Sequence, residues 1–221
     1  MERPLSDRYH YSPPDKFWDN SMTMRVRGTI DGGHPKGIVI HYTAGRSLNG
    51  DADAVNTINH GIAQGYCYWC VSDTGKVYKT HELDQWGHHA GISNYGKLGN
   101  YISAVTLGIE VCNAGKVDPV KGKDFYSTWW GQHYPADLVR SRPDLDGVCG
   151  GHYAKFTDAQ EEAVTDIVLY VASKYPDFNL DYVLGHFEVS PNRKIDPGWS
   201  LSMSMKKYRE FLKEQFKLMK G

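Results

Sequence analysis

Short apolar runs and longer amphipathic segments alternate along this chain. Residues 37–41, 104–112 and 181–186 are continuous runs of mostly aliphatic side chains, a pattern typical of strands buried on both faces of a sheet. Residues 65–71 and 76–79 flank a short polar segment that ends in Gly75, and together they predict a β-hairpin with this glycine in the left-handed conformation.

Three segments have the apolar spacing of helices. Residues 51–63 predict a helix with Asp51 as its N-cap, and residues 158–174 follow a capping box that begins at Thr157. Residues 204–219 predict an amphipathic helix that closes the domain. Strands that alternate with helices indicate an α/β fold, in which a mixed central β-sheet is covered by helices within a single domain.

The boundaries of this domain follow from segments without a clear period. Residues 1–36 are rich in proline, aspartate and aromatic residues, and they predict an irregular N-terminal arm packed on a domain of residues 37–221. Residues 115–153 are long for a connection and predict an insertion that shapes a surface, of the kind that often lines a binding cleft. Trp129 and Trp130 lie in this insertion and are candidates for stacking on sugar rings.

Composition excludes several classes of partner. Lys and Arg total 25 against 26 for Asp and Glu, so no net field favours nucleic acid or an anionic membrane. The sequence has neither an apolar run long enough for membrane insertion nor the apolar core of a signal peptide at its N-terminus. We therefore expect a monomer synthesised in the cytoplasm.

The four cysteines are too few for a disulfide scaffold in a chain of 221 residues. Cys67 and Cys70 form a CxxC pattern, which in other contexts marks a redox or zinc site. No second CxxC accompanies it, and the two positions point to opposite faces of a strand. We interpret both cysteines as reduced packing residues.

A candidate metal centre is the strongest chemical signal in the sequence. His186 ends one predicted strand and is followed ten positions later by Asp196, within a loop whose prolines and glycines favour turns. His41 ends another predicted strand and can supply a third ligand. Two histidines and one carboxylate leave a fourth tetrahedral position open, as in a catalytic site with one zinc ion.

Glu110 is unusual because it lies in an apolar run that predicts a buried strand. A buried carboxylate is costly unless it has a partner or a chemical role. One interpretation is an ion pair with Lys194 or Arg193, and the other is catalysis, since carboxylates with perturbed pKa values cluster at functional sites.

An ordered set of motifs resembles the type 2 family of N-acetylmuramoyl-L-alanine amidases. This family includes cytoplasmic cell-wall-recycling amidases, phage lysozyme-type amidases and animal peptidoglycan recognition proteins. The motifs are IVIHYTA at 38–44, HAG at 89–91, LGIE at 107–110, GH at 185–186 and KIDPG at 194–198.

The resemblance implies a role for each matched residue. The zinc ligands fall on His41, His186 and Asp196, Glu110 matches a general base, and Lys194 matches a lysine that stabilises the oxyanion.

The resemblance also suggests further site residues. A catalytic tyrosine near the metal falls on Tyr66, in preference to Tyr68. The resemblance places His89 in the lining of the peptide-side groove, with His88 as the alternative, so His89 is an expected substrate-binding residue. Trp86 is a second expected substrate-binding residue, because its ring, like those of Trp129 and Trp130, can stack on a sugar.

The implied function is a zinc-dependent amidase that hydrolyses the amide between N-acetylmuramic acid and L-alanine of peptidoglycan or of soluble muropeptides. A phage endolysin, which acts on the cell wall of its host after release, is the expected setting. A cytoplasmic cell-wall-recycling amidase and a non-catalytic peptidoglycan-binding module are the alternatives.

Overall fold

A computed structural model of the chain describes residues 4–11 and 18–221. Its helices are α1 Leu5–Arg8, α2 Asp51–Gln64, α3 Asp158–Lys174, α4 His186–Val189 and α5 Met205–Lys220. Its strands are β1 Trp18–Asp19, β2 Gly28–Thr29, β3 Gly37–Tyr42, β4 Trp69–Val71, β5 Val77–Tyr78, β6 Gln85–Trp86, β7 Asn94–Tyr95, β8 Gly99–Asn100, β9 Thr106–Val111, β10 Asp118–Pro119, β11 Phe125–Ser127, β12 His133–Pro135, β13 Val139–Arg142, β14 Gly151–Ala154 and β15 Val183–Gly185.

The predicted mixed central sheet is confirmed. Six strands form it in the order β1-β5-β4-β9-β3-β15. Strand β9 runs parallel to both of its neighbours, β3 also runs parallel to β15, and β4 and β5 form the predicted antiparallel hairpin. Gly75 has a φ of 83° in the hairpin turn, as expected for a left-handed position.

Helices cover both faces of this sheet. On one face, Ile40 and Ile109 pack with Ile167 of α3 and Leu212 of α5 in the largest apolar cluster. On the other face, Ile58 of α2 packs in a second cluster, which also contains three cysteines. Cys67, Cys70 and Cys112 are buried free thiols, in agreement with the interpretation of the first two as packing residues. The expectation that Cys67 and Cys70 point to opposite faces of a strand is wrong, because Cys67 lies before β4 and both side chains pack in this cluster.

The helices begin where local capping favours them. Helix α3 has the predicted bounds, and the Thr157 side chain accepts from the Gln160 N–H in a complete capping box. Ser204 caps α5 through the Lys207 N–H. Within the described ranges, no helix is long and apolar enough to span a membrane.

The predicted N-cap of α2 is wrong by one residue. Gly50 occupies the cap, and Asp51 is the first residue of the helix. The Asp51 carboxylate instead accepts hydrogen bonds from Ser72 and Thr74, each at 2.8 Å, in the turn of the β4–β5 hairpin. This tertiary contact takes precedence over local capping.

The first 36 residues contain regular elements rather than only an irregular arm. Residues 1–3 and 12–17 of this predicted arm lie outside the described residues. Strand β1 joins the central sheet beside β5, and Leu5 of α1 is completely buried in the core. Arg8 is paired with the buried Glu161 of α3 at 2.8 Å. These contacts tie the segment to the same core as the rest of the chain.

The region predicted as an insertion folds into small antiparallel units. Strands β10, β11 and β12 form a three-stranded sheet, and β13 and β14 form a ribbon. Trp129 is 86% exposed here, so it adds little to the core.

Candidate metal centre and active site

The central strands bring two of the predicted site residues side by side. His41 of β3 is paired in register with Glu110 of β9. Successive side chains of a strand point to opposite faces, so Ile40 and Ile109 face the layer of α3 and α5 while His41 and Glu110 face away from it.

His186 and Asp196 reach the same place through a loop that folds back. Gly185 of β15 pairs with Ile40 of β3, which places the next residue beside His41. The predicted strand is shorter than expected, since His186 begins helix α4. The Phe187 N–H donates to the Asp196 carbonyl at 3.1 Å, and this bond closes the loop.

The three predicted ligands form a compact buried triangle. The Nδ1 atoms of His41 and His186 are 2.9 Å apart, and Asp196 Oδ2 lies 3.1 and 3.0 Å from them. A tetrahedral ion with bonds of about 2.0–2.2 Å holds its ligand atoms roughly 3.3–3.6 Å apart, so a small expansion of the triangle accommodates zinc. When both imidazoles carry their proton on Nε2, all three converging atoms present lone pairs, and a cation binds all three together.

The protonation states suit metal binding. Burial alone would raise the pKa of Asp196, but the close contacts of its carboxylate with the His186 and His41 rings outweigh burial and hold this pKa well below its usual range. Burial and the neighbouring His186 lower the pKa of His41 to about 4. An ionised carboxylate and a neutral imidazole are the forms that ligate a metal.

Glu110 has an unpaired oxygen at the base of the cleft. Its Oε2 atom is buried without a hydrogen-bond partner in the described part of the chain. Burial, followed by the nearby charge of Asp196, raises the pKa of Glu110 well above its usual value. Arg193, one of the two cations considered as its partner, instead donates to the carbonyls of Ala90 and Ile92 at 2.7 and 2.9 Å.

A cleft of about 450 Å³ contains this group of residues. Its lining includes the three predicted ligands together with Glu110 and Lys194. No residue of 115–153, a range that the structure describes in full, lines this cleft, although Val148 and Tyr153 pack with Tyr42, which does. The insertion instead contributes Tyr134 and Leu138 to a separate cavity of about 270 Å³.

The two tyrosine candidates differ in their environment. Tyr66 is 43% exposed and lines the metal cleft. Tyr68 also lines this cleft, but its side chain is buried and its hydroxyl donates to the Thr57 carbonyl at 2.8 Å. The hydroxyl of Tyr68 is therefore already engaged, and Tyr66 stays the preferred candidate.

The residues predicted to bind substrate differ in whether they line the metal cleft. Trp86 is absent from the lining of the metal cleft and packs edge-to-face against His88 and Tyr101, with ring centroids 6.0 and 5.6 Å apart. His88 and His89 both line the cleft. His89 lies behind His41, with its Nδ1 atom 3.2 Å from His41 Nε2.

Sequence reasoning missed two hydroxyl residues next to this cluster. The Ser103 hydroxyl contacts the backbone N–H groups of His89 and Ala90, and Thr106 contacts the His89 ring. Serine and threonine are common throughout the chain, and neither position carries a motif that would have singled it out.

The family of the chain follows from a comparison of its sequence with models of protein families. The model described as N-acetylmuramoyl-L-alanine amidase matches residues 31–199, which include every residue of the site described above. The chain belongs to this amidase family.

One curated relative is the 1,6-anhydro-N-acetylmuramyl-L-alanine amidase AmpD of Haemophilus influenzae, which is 39% identical over 49 residues. The matched part spans 22% of the chain and about a quarter, 27%, of the length of that relative.

Solved structures of several amidases share the fold. A selenomethionine derivative of AmpD gives a TM-score of 0.53 at 19% identity, covering 89% of this chain and 97% of that protein. The amidase AmiD of E. coli, in complex with an anhydromuramyl peptide substrate, gives 0.51 at 20% identity, covering 78% and 56%. The endolysin LysCS of Clostridium intestinale gives 0.50 at 14% identity, covering 93% and 98%. At these identities the likeness concerns the fold.

Proposed function

We propose that this protein is a zinc-dependent N-acetylmuramoyl-L-alanine amidase, which hydrolyses the amide between N-acetylmuramic acid and L-alanine. The observation that carries the proposal is the buried triangle of His41, His186 and Asp196 beside the unpaired carboxylate of Glu110. A purely structural zinc site is normally closed by four protein ligands, whereas this one has three and opens into a cleft.

The surrounding residues supply the remaining chemistry. Zinc, when bound to the three ligands, polarises a carbonyl and acidifies water. Glu110 accepts the proton of the attacking water and passes it to the leaving amine, a task that suits a carboxyl group of raised pKa. The Lys194 ammonium stabilises the negative charge that develops on the carbonyl oxygen. Tyr66, at the edge of the cleft, orients the scissile amide by hydrogen bonding.

The proposal also names the physical form of the substrate, which is intact peptidoglycan rather than a soluble muropeptide. We assign the protein to the hydrolysis of intact peptidoglycan, as an endolysin, because Tyr66 in the lining of the cleft is 43% exposed and can contact a large substrate outside the protein. The sequence match to AmpD favours a second candidate, the hydrolysis of soluble anhydro-muropeptides during recycling.

One experiment separates these functions. Purified protein is incubated with intact sacculi and, in parallel, with soluble anhydro-muropeptides, and newly exposed L-alanine amino groups are labelled and quantified. Rapid release from sacculi supports the endolysin role, whereas release restricted to soluble muropeptides supports recycling. Binding to sacculi without release from either substrate would refute the amidase and favour a peptidoglycan-binding module.

A further inference from the structure

One dipeptide, His89-Ala90, contacts both histidine ligands from behind. The His186 Nε2 atom lies 3.1 Å from the Ala90 carbonyl, and the His41 Nε2 atom lies 3.2 Å from His89 Nδ1. A carbonyl only accepts hydrogen bonds, so His186 Nε2 is the donor in this contact, and the Arg193 guanidinium, which is also a donor, lies farther from Nε2 at 3.4 Å. In its neutral form His186 then directs the lone pair of Nδ1 into the triangle.

The direction of the His41 contact is fixed by Thr106. The Thr106 hydroxyl donates to the Ile102 carbonyl at 2.8 Å, so its oxygen is left to accept. His89 Nε2 lies 3.2 Å from that oxygen and 3.3 Å from the Thr106 carbonyl, and both of these atoms require a donor. In neutral His89 the proton is therefore on Nε2, and Nδ1 accepts from His41.

The direction of these hydrogen bonds also determines which nitrogen of His41 carries the proton. Because His89 Nδ1 accepts, His41 donates through Nε2 and presents a bare Nδ1 to the triangle. The Ile102 carbonyl, the Thr106 hydroxyl, His89 and His41 thus form one chain of hydrogen bonds with a single direction.

The dipeptide is itself held in place. The Ser103 hydroxyl accepts from the N–H groups of His89 and Ala90 at 3.2 and 2.9 Å. Arg193 donates to the Ala90 carbonyl at 2.7 Å. Gly108 leaves room for the imidazole, since a Cβ atom at this position would lie 2.5 Å from His89 Cγ.

We infer that His89 is a positioning residue, which fixes the tautomer and ring orientation of His41 for metal binding and does not itself bind substrate. The inference rests on the proposed zinc function. Partners of this kind raise the basicity of a ligating histidine, and their loss typically weakens metal affinity by about 10–100-fold.

Zinc affinity tests this role without reference to catalysis. His89→Ala, His89→Asn and the wild type are titrated with zinc in competition with a chromogenic chelator, and folding of each variant is checked by circular dichroism. We expect His89→Ala to bind zinc about 10–100-fold more weakly. His89→Asn should recover most of that loss, because its side-chain oxygen lies near the position of Nδ1 and accepts from His41. The neighbouring His88→Ala is the matched control and should retain the wild-type affinity.

The outcomes separate this inference from the proposed function. If the wild type does not bind zinc, the proposed function fails. If the wild type binds zinc and His89→Ala binds it equally well, only the positioning role is overturned. If His89→Ala has a higher KM for a muropeptide and an unchanged zinc affinity, His89 binds substrate and the positioning role is overturned.

A second measurement needs no variant. Nitrogen-15 NMR of the histidine rings in the folded, metal-free wild type reports which nitrogen carries each proton. We expect the Nε2–H tautomer at His89, and an Nδ1–H tautomer there would overturn the chain of hydrogen bonds even if His89→Ala failed to fold.

Discussion

The substitution Gly108→Ala adds one methyl group to the strand behind the metal site. Gly108 lies in β9, two residues before Glu110, and an added Cβ atom would lie 2.5 Å from Cγ and 2.8 Å from Nδ1 of His89. Ordinary carbon contacts lie at about 3.5–4.0 Å, so the imidazole has to move by roughly 1 Å. Both ring nitrogens are hydrogen-bonded, and the ring cannot move without lengthening its contact to His41 or to Thr106.

Overpacking of this kind costs about 1–3 kcal/mol, and we expect the free energy of unfolding of the metal-free protein to fall by this amount. Urea denaturation in the presence of a chelator measures this loss, and a zinc titration should show weaker binding because the imidazole supports a ligand. Gly45→Ala is the control, since its Cβ atom would meet nothing closer than 3.6 Å. Equal stability and equal zinc affinity of Gly108→Ala and Gly45→Ala would refute the packing argument.

Three further predictions concern single side chains. Glu110→Gln should lower kcat by about 10²–10⁴-fold while zinc affinity is retained, and an unchanged kcat in a steady-state assay would exclude Glu110 as the general base. Lys194→Met should lower kcat by about 10²–10³-fold with little change in KM, and a change confined to KM would assign Lys194 to substrate binding instead. Burial lowers the pKa of His81 to about 4 from 6.5, so its contribution to stability is complete above pH 6.5 and is lost as the pH falls toward 4. At about pH 5 this loss amounts to about 2 kcal/mol. Urea denaturation at about pH 7.5 and pH 5 should show that the free energy of unfolding depends less on pH in His81→Asn than in the wild type, by this amount. An equal pH dependence in the wild type and the variant would contradict the prediction.

Much of the fold could be predicted from the sequence because its signals are local. The apolar run before His41 predicts a central strand, and the capping box at Thr157 predicts the start of α3. The start of α2 differed because the Asp51 carboxylate bonds to a hairpin turn more than 20 residues away. This contact cannot be predicted from the residues that neighbour Asp51 in the sequence.

Part of the candidate site could likewise be predicted from local sequence, and part depends on residues distant in sequence. His186 and Asp196 lie in one turn-rich loop, and their convergence could be predicted from spacing and turn chemistry. The position of His89 could not, because it depends on Thr106, which lies 17 residues further along the chain, and on the space left by Gly108. The packing of Trp86 against Tyr101, outside the lining of the metal cleft, could not be predicted for a similar reason, since Tyr101 lies 15 residues further along the chain.

The central claim is that His41, His186 and Asp196 hold a zinc ion on which amide hydrolysis depends. The most direct measurement is the release of L-alanine amino termini from muropeptide by chelator-treated protein during stepwise addition of zinc, with Asp196→Ala in parallel. The account predicts no release without zinc, recovery that saturates at one zinc ion per chain, and no recovery in the variant. Full release by the metal-free protein, or by Asp196→Ala, would contradict it.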